Sequence, residues 1–201
     1  MNYEKSRDLA WQLLMKHKIS VLPVNLTKIC KAERIRLCSY ENGSNVIQKL
    51  QLEEHTVGND AFSIGRVIFY NDENSIARQR FSIAHEMGHI FLHSPCGATV
   101  YNREPSTNED PLEAEANIFA SRLLAPLCVL HYLNVHSPEE ISRICNISIT
   151  AARIRMERLN EVRKREETFR RVYGRSCFLQ SPYEREVFRM FSTFIETHRN
   201  S

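Results

Sequence analysis

The residues best suited to chemistry lie in the string RFSIAHEMGHIFLH, which spans residues 80–93. An α-helix brings residues i and i+4 onto one face, so His85 and His89 would present two imidazoles side by side. Glu86 is adjacent and points in a different direction. Two neutral imidazoles can hold a zinc ion while a neighbouring carboxylate takes a proton from water, an arrangement typical of metallopeptidases. We therefore expect His85 and His89 to be metal ligands, Glu86 to be the catalytic base and Zn²⁺ to be the cofactor.

The residues around this motif are mostly apolar, and they include Ile83, Ala84, Met87 and Ile90. A helix with such neighbours is expected to be buried, where histidines without partners would cost free energy. Metal ligation gives both histidines a partner. The apolar context therefore favours a metal site over an accidental match to a short motif.

A catalytic zinc needs one more protein ligand. His93 continues the series of histidines, but eight residues of helix rise about 12 Å, so it cannot reach the same ion as His85. A third histidine at the metzincin spacing is absent, because Leu92 and Pro95 occupy the positions of the required glycine and histidine. We expect a structural role for His93 and a third ligand from another part of the chain.

The segment DPLEAEANIFASRLLAP, residues 110–126, offers two carboxylates, Glu113 and Glu115, on a predicted helix. Glu113 falls roughly 55° from the centre of the apolar stripe, whereas Glu115 falls roughly 105° away and is expected to face solvent. Glu113 is therefore favoured as the third ligand, which gives a gluzincin-like site, although helical position alone does not exclude Glu115. Asn117, one turn after Glu113, is placed to hydrogen-bond a ligand histidine.

The elements that must position these residues can be predicted from periodicity and from helix-breaking residues. Helices are expected at 3–18, 23–31, 75–92 and 111–124, and strands at 34–40 and 61–70. Asn42-Gly43 and residues 58–60 are predicted turns, and Ser94 to Asp110 is a predicted polar loop. This pattern predicts an α+β fold, with a small zincin-like metallopeptidase core built from a few-stranded sheet and an active-site helix.

Helices are predicted after this core, which we assign to residues 1–136. Residues 137–160 resemble a helix-turn-helix, with Ser137 as the N-cap and Glu140 closing a capping box. A charged linker is predicted at 161–174, and 175–201 is expected to contain one amphipathic helix over 182–197.

Composition places the chain among ordinary globular proteins, with 42% hydrophobic residues, 25% charged residues and a net charge of +3. The six cysteines form no CxxC pair, and the first residues lack the apolar run of a signal peptide. No stretch approaches 18 consecutive apolar residues. We expect a cytoplasmic enzyme without membrane contact.

Two other classes of function compete with this interpretation. A DNA-binding regulator would use the basic residues near the helix-turn-helix (Arg153, Arg155, Arg158, Arg163, Lys164, Arg165). Glutamates are interleaved with them, a pattern typical of a solvated, salt-bridged helix, which argues against direct DNA binding. A non-catalytic regulatory protein could keep zinc only for folding, but a structural site has no use for Glu86 beside the ligand pair.

Two motifs of the chain, RFSIAHEMGH at 80–89 and EAEANIFASRLLAP at 113–126, resemble those of the ImmA/IrrE metallopeptidases. The resemblance extends over about residues 20–160. It implies a minimal zinc peptidase fold and a protein substrate, a helix-turn-helix repressor whose cleavage releases phage, mobile-element or stress genes. Ala125 departs from the methionine common before the closing proline, at a position that holds no ligand.

Overall fold

The computed structural model describes residues 3–93, 110–176 and 181–199. The predicted polar loop lies outside the described residues, apart from Asp110. The elements follow in the order α1 (Tyr3–Lys16), α2 (Leu26–Ala32), β1 (Arg36–Ser39), α3 (Tyr40–Lys49), a 3-10 turn (Glu53–His55), β2 (Ala61–Ile64), β3 (Val67–Tyr70), α4 (Ile76–Leu92), α5 (Pro111–Leu124), α6 (Leu127–Tyr132), α7 (Pro138–Cys145), α8 (Ile149–Tyr173), α9 (Pro182–Met190) and α10 (Ser192–Arg199). The predicted α+β class, a small sheet with an active-site helix followed by further helices, is confirmed.

The chain forms two compact units. The first comprises Met1–Arg7 and Asn25–Ala120, and the second comprises Asp8–Val24 and Ser121–Ser201. The first unit contains the sheet and the predicted site. The sequence-based division at residues 136, 160 and 174 stays a prediction.

The sheet of the first unit has three strands in the order β1-β3-β2. Strand β1 pairs in parallel with β3, and β2 pairs antiparallel with β3 so that Ile64 lies opposite Val67. The prediction of one strand over 61–70 was therefore wrong, because the segment folds back on itself. Gly65 has a φ of 57°, and a glycine followed by Arg66 suits a two-residue hairpin turn.

The predicted turn at Asn42-Gly43 was also wrong, because both residues lie in helix α3. Ser39 caps this helix by accepting a hydrogen bond from the backbone N–H of Asn42 at 3.2 Å. A Cβ on Gly43 would lie 3.0 Å from the ring of Phe69. Glycine is used here for close packing of the helix on the sheet, a requirement that the dipeptide itself cannot reveal.

In the second unit, the predicted helix-turn-helix pattern is formed by α7 and α8. The capping box of Ser137 and Glu140 is confirmed, and Asn146 adopts a left-handed conformation in the turn between the helices. Residues 161–173, in the predicted charged linker, continue helix α8. Oppositely charged side chains spaced four residues apart, such as Glu166 and Arg170 at 2.8 Å, favour the helix, which ends at Gly174.

The predicted single helix at the C-terminus is two helices, α9 and α10, which divide at Phe191. Val187 and Phe191 are fully buried, and the ring of Phe188 stacks on Tyr132 of α6 with a centroid distance of 4.2 Å. This segment therefore contributes to the core of the second unit. Within the described ranges, no helix combines the length and the apolar character needed to cross a bilayer.

Candidate metal centre and active site

Helix α4 positions the three motif residues, and it packs against strands β2 and β3. Its middle section, Ser82–Ile90, is buried without interruption. His85 and His89 are 0% and 2% exposed, and their Nε2 atoms lie 2.9 Å apart. The i, i+4 spacing thus brings the two imidazoles together in the core, as the sequence predicts.

The carboxylate of Glu113 on helix α5 lies against both imidazoles. Its Oε2 is 3.2 Å from Nε2 of His85, and its Oε1 is 3.0 Å from Nε2 of His89. These contacts, first with His85 and then with His89, hold the pKa of Glu113 well below its usual range, although partial burial opposes the shift. A carboxylate must be ionised to act as a metal ligand, and the direction of this shift favours that form.

Helices α4 and α5 can bring these groups together because they approach closely at Gly88. A Cβ on Gly88 would lie 3.0 Å from the Cα of Ala116 and 3.2 Å from its carbonyl oxygen. Ala116 is one turn after Glu113 on the same helix. At the start of α5, Asp110 accepts a hydrogen bond from the N–H of Leu112 at 2.8 Å, and Pro111 occupies the first helical position.

The donor atoms of His85, His89 and Glu113 fit a zinc ion. They lie within 4.8 Å of one another, and the three closest contacts among them are 2.9, 3.0 and 3.2 Å. A tetrahedral zinc with ligands at about 2.0–2.1 Å separates its ligand atoms by about 3.3 Å. Two nitrogens and one carboxylate also match the donor set of an open catalytic zinc site.

Asn117 fixes the orientation of the His85 ring. Its Oδ1 lies 2.9 Å from Nδ1 of His85. Because an amide oxygen can only accept, Nδ1 of His85 donates to it, and Nε2 of a neutral His85 would then be the nitrogen that could bind a metal. The predicted contact of Asn117 with one of the two motif histidines is therefore present, although the role of His85 as a ligand stays a prediction.

Glu86 is 3% exposed and is not one of the three residues of the group formed by the two histidines and Glu113. Its Oε2 accepts a hydrogen bond from the hydroxyl of Ser63 on strand β2 at 2.7 Å. Sequence reasoning missed Ser63. A buried polar residue between Phe62 and Ile64, in an otherwise apolar strand, is the feature that could have drawn attention to it.

Glu115 is not part of the three-residue group, in agreement with the choice of Glu113. The prediction that its side chain faces solvent was wrong, because that side chain is only 14% exposed and lies 3.2 Å from Nε2 of His93. His93, at the end of α4, contacts Nδ1 of His89 at 3.1 Å. The pKa of His93 is lowered mainly by burial, while its hydrogen bond to Glu115 opposes the shift.

Comparison with known proteins gives two matches, a family model and a relative. The model of the IrrE N-terminal-like peptidase domain matches residues 43–157, which is more than half of the chain. The chain is 30% identical over 142 residues to "Metallopeptidase ImmA" of Bacillus subtilis (strain 168), an alignment that covers 66% of this chain and 78% of that protein.

Proposed function

The chain belongs to the family of IrrE N-terminal-like metallopeptidases, and from that premise we propose that it is a zinc-dependent, site-specific endopeptidase that cuts a helix-turn-helix transcriptional repressor. The observation that carries the enzymatic part is the meeting of His85, His89 and Glu113. Glu86, the residue that follows His85 on helix α4, is buried as well. The substrate class rests on the resemblance of the two sequence motifs to those of the ImmA/IrrE enzymes.

We assign the metal to three side chains. His85 and His89 would hold zinc through Nε2, and Glu113 would hold it through its carboxylate. When bound, zinc supplies Lewis acidity, which polarises a peptide carbonyl and makes deprotonation of a water feasible near neutral pH. Three protein ligands would leave one coordination position for substrate or water. A catalytic zinc site differs in this way from a structural site, which has four protein ligands.

We assign proton transfer to Glu86. Its carboxylate takes a proton from the attacking water as the water oxygen bonds to the scissile carbonyl carbon, and it returns that proton to the amine nitrogen as the C–N bond breaks. The hydroxyl of Ser63 donates to Oε2 and leaves Oε1 for this transfer. Burial between the helix and the sheet limits the rotation of the carboxylate, so the base is already oriented.

The rival function as a DNA-binding regulator has less support, because two of its predicted phosphate ligands make contacts inside the second unit. Nε of Arg155 donates to the carbonyl of Ala125 at 2.6 Å, and this side chain is buried. NH1 of Arg163 donates to the carbonyl of Val135 at 2.9 Å. Salt-sensitive gel retardation separates the two functions, since a regulator would bind duplex DNA and the peptidase need not.

We expect narrow specificity. Binding a folded partner would restrict cleavage to one site, in an exposed linker or dimerising segment whose backbone can enter the site extended. We assign docking to the helices after Ser137. The sequence also favours residues 94–110 for this role, but they lie outside the described residues apart from Asp110. A protease that cut unfolded chains broadly would damage other proteins of the same compartment, so casein should stay intact.

The test is cleavage of a helix-turn-helix repressor encoded by a neighbouring gene, incubated with the purified zinc-loaded protein. The parent should give two fragments, whereas Glu86→Gln should give none and keep its zinc, because an amide cannot take the proton. Glu54→Gln is the matched control, since the side chain of Glu54 is 80% exposed. Cleavage by Glu86→Gln at the parental rate would remove the catalytic assignment, and broad degradation of casein would remove the specificity.

A further inference from the structure

Two side chains that are not assigned as ligands, His93 and Glu115, extend in a row from Nδ1 of His89. Nδ1 of His93 is 3.1 Å from Nδ1 of His89, on the opposite side of the His89 ring from Nε2. Nε2 of His93 is in turn 3.2 Å from Oε2 of Glu115. The side chains of His93 and Glu115 are 6% and 14% exposed. The three groups thus form a row from helix α4 to helix α5, within the first compact unit.

We propose that His93 and Glu115 are positioning residues, which hold the imidazole of His89 in the tautomer and orientation that a metal requires. The inference rests on the proposed zinc site. It gives these residues a role in metal affinity, although neither touches the metal.

The pattern of donors and acceptors in this row has one solution that leaves Nε2 of His89 able to bind a metal. An ionised Glu115 can only accept, so Nε2 of His93 donates to it. A neutral imidazole with the proton on Nε2 accepts at Nδ1, and the 3.1 Å contact then requires Nδ1 of His89 to donate. With that proton on Nδ1, Nε2 of a neutral His89 is the nitrogen whose lone pair can bind a metal.

The opposite assignment is incompatible with metal binding. If Nδ1 of His93 donated to Nδ1 of His89, the proton of a neutral His89 would sit on Nε2, the atom that faces Glu113 and His85. His93 and Glu115 therefore select between two forms of the same side chain, only one of which can ligate.

Each of the two proposed ligand histidines is connected by hydrogen bonds to an acceptor oxygen, one directly and the other through a second histidine. His85 donates to Asn117 directly, at 2.9 Å, whereas His89 reaches the carboxylate of Glu115 through His93. Both final acceptors lie on helix α5, which also carries Glu113. Removal of such an outer partner typically lowers metal affinity by about 10- to 100-fold.

The test is the zinc dissociation constant of the full chain, measured by competition with a chromogenic chelator. His93→Phe and Glu115→Ala should each raise this constant by about 10- to 100-fold. Glu115→Gln should stay close to the parent, because the amide oxygen still accepts from Nε2 of His93. Glu54→Ala serves as the control for loss of an exposed carboxylate.

A double variant separates positioning from a general structural role. If Glu115 acts through His93, adding Glu115→Ala to His93→Phe should leave the dissociation constant of His93→Phe unchanged. Should His93→Phe fold poorly, His93→Asn offers an acceptor oxygen near the position of Nδ1 and should recover part of the affinity. Nitrogen-15 spectra of the histidine rings should show the proton of His89 on Nδ1 in the zinc-loaded parent.

Two results would overturn the inference. One is an unchanged zinc dissociation constant in His93→Phe, and the other is an equal loss from Glu115→Ala with and without His93, which would mean that Glu115 acts on the metal independently. Both differ from failure of the proposed function, in which the parent itself would bind no zinc.

Discussion

Substitution of Gly88 by alanine should weaken zinc binding, because Gly88 sets the spacing between the two helices that carry the proposed ligands. The added Cβ would lie 3.0 Å from the Cα of Ala116 and 3.2 Å from its Cβ. The first of these partners is backbone, so it cannot rotate away. Relief requires helix α5 to shift by a few tenths of an ångström, and Glu113 shifts with it.

The change in the free energy of unfolding follows from two opposing effects of the substitution. Overpacking of this kind typically costs about 1–3 kcal/mol, whereas alanine in place of glycine in a helix gains about 1 kcal/mol. The free energy of unfolding of the metal-free protein should therefore fall by only about 0–2 kcal/mol. Zinc binding requires the original spacing of helices α4 and α5. The metal-free variant relieves its strain by a shift of α5, so that strain must be restored when zinc binds. At about 1.4 kcal/mol per tenfold, 1–3 kcal/mol corresponds to a dissociation constant raised about 5- to 140-fold.

The assay combines urea unfolding of the metal-free protein with chelator competition for zinc. Gly43→Ala is the matched control. Its Cβ would also meet atoms at 3.0 Å, those of Cys38 and Phe69, but Gly43 lies on helix α3, which carries none of the proposed ligands. It should lower stability and leave zinc affinity unchanged. Adding Ala116→Gly to Gly88→Ala removes one of the close contacts and should restore part of the affinity. The reasoning fails if Gly88→Ala binds zinc as tightly as the parent, or if Gly43→Ala weakens zinc binding equally.

Three further predictions address separate parts of the molecule. Ser63→Ala should lower kcat and leave zinc affinity unchanged, since Ser63 holds Glu86 and not the metal; a parental kcat would contradict this role. Glu113→Ala should lose zinc at neutral pH in elemental analysis, and full occupancy would exclude it as the third ligand. Glu140→Ala should lower the Tm more than Glu139→Ala, because Glu140 accepts from the backbone N–H of His136 at 2.6 Å and of Ser137. These bonds lower the pKa of Glu140. The stabilisation from Glu140 is therefore present above the pKa of the unfolded state and is lost as pH falls through the lower pKa of the folded state. A difference in Tm between the two variants that grows in acid would refute this role of Glu140.

Local spacing alone determined the centre of the proposed site. The i, i+4 pair of His85 and His89 depends only on the geometry of one helix. The helical period and the apolar stripe favoured Glu113 but did not by themselves exclude Glu115. The capping box of Ser137 and Glu140 could be read in the same way, since its hydrogen bonds span three residues. Features that lie within one turn of helix are encoded by neighbouring residues, so they can be predicted without knowledge of the fold.

Contacts between distant parts of the chain were decided only by the tertiary structure. Ser63 reaches Glu86 because strand β2 packs against helix α4, and Glu115 is removed from solvent by His93, which is 22 residues earlier. Position 43 in helix α3 is a glycine because Phe69 and Cys38 leave no room for a Cβ. In each case the free energy comes from a partner whose position the local sequence does not encode, so propensity and periodicity cannot report it.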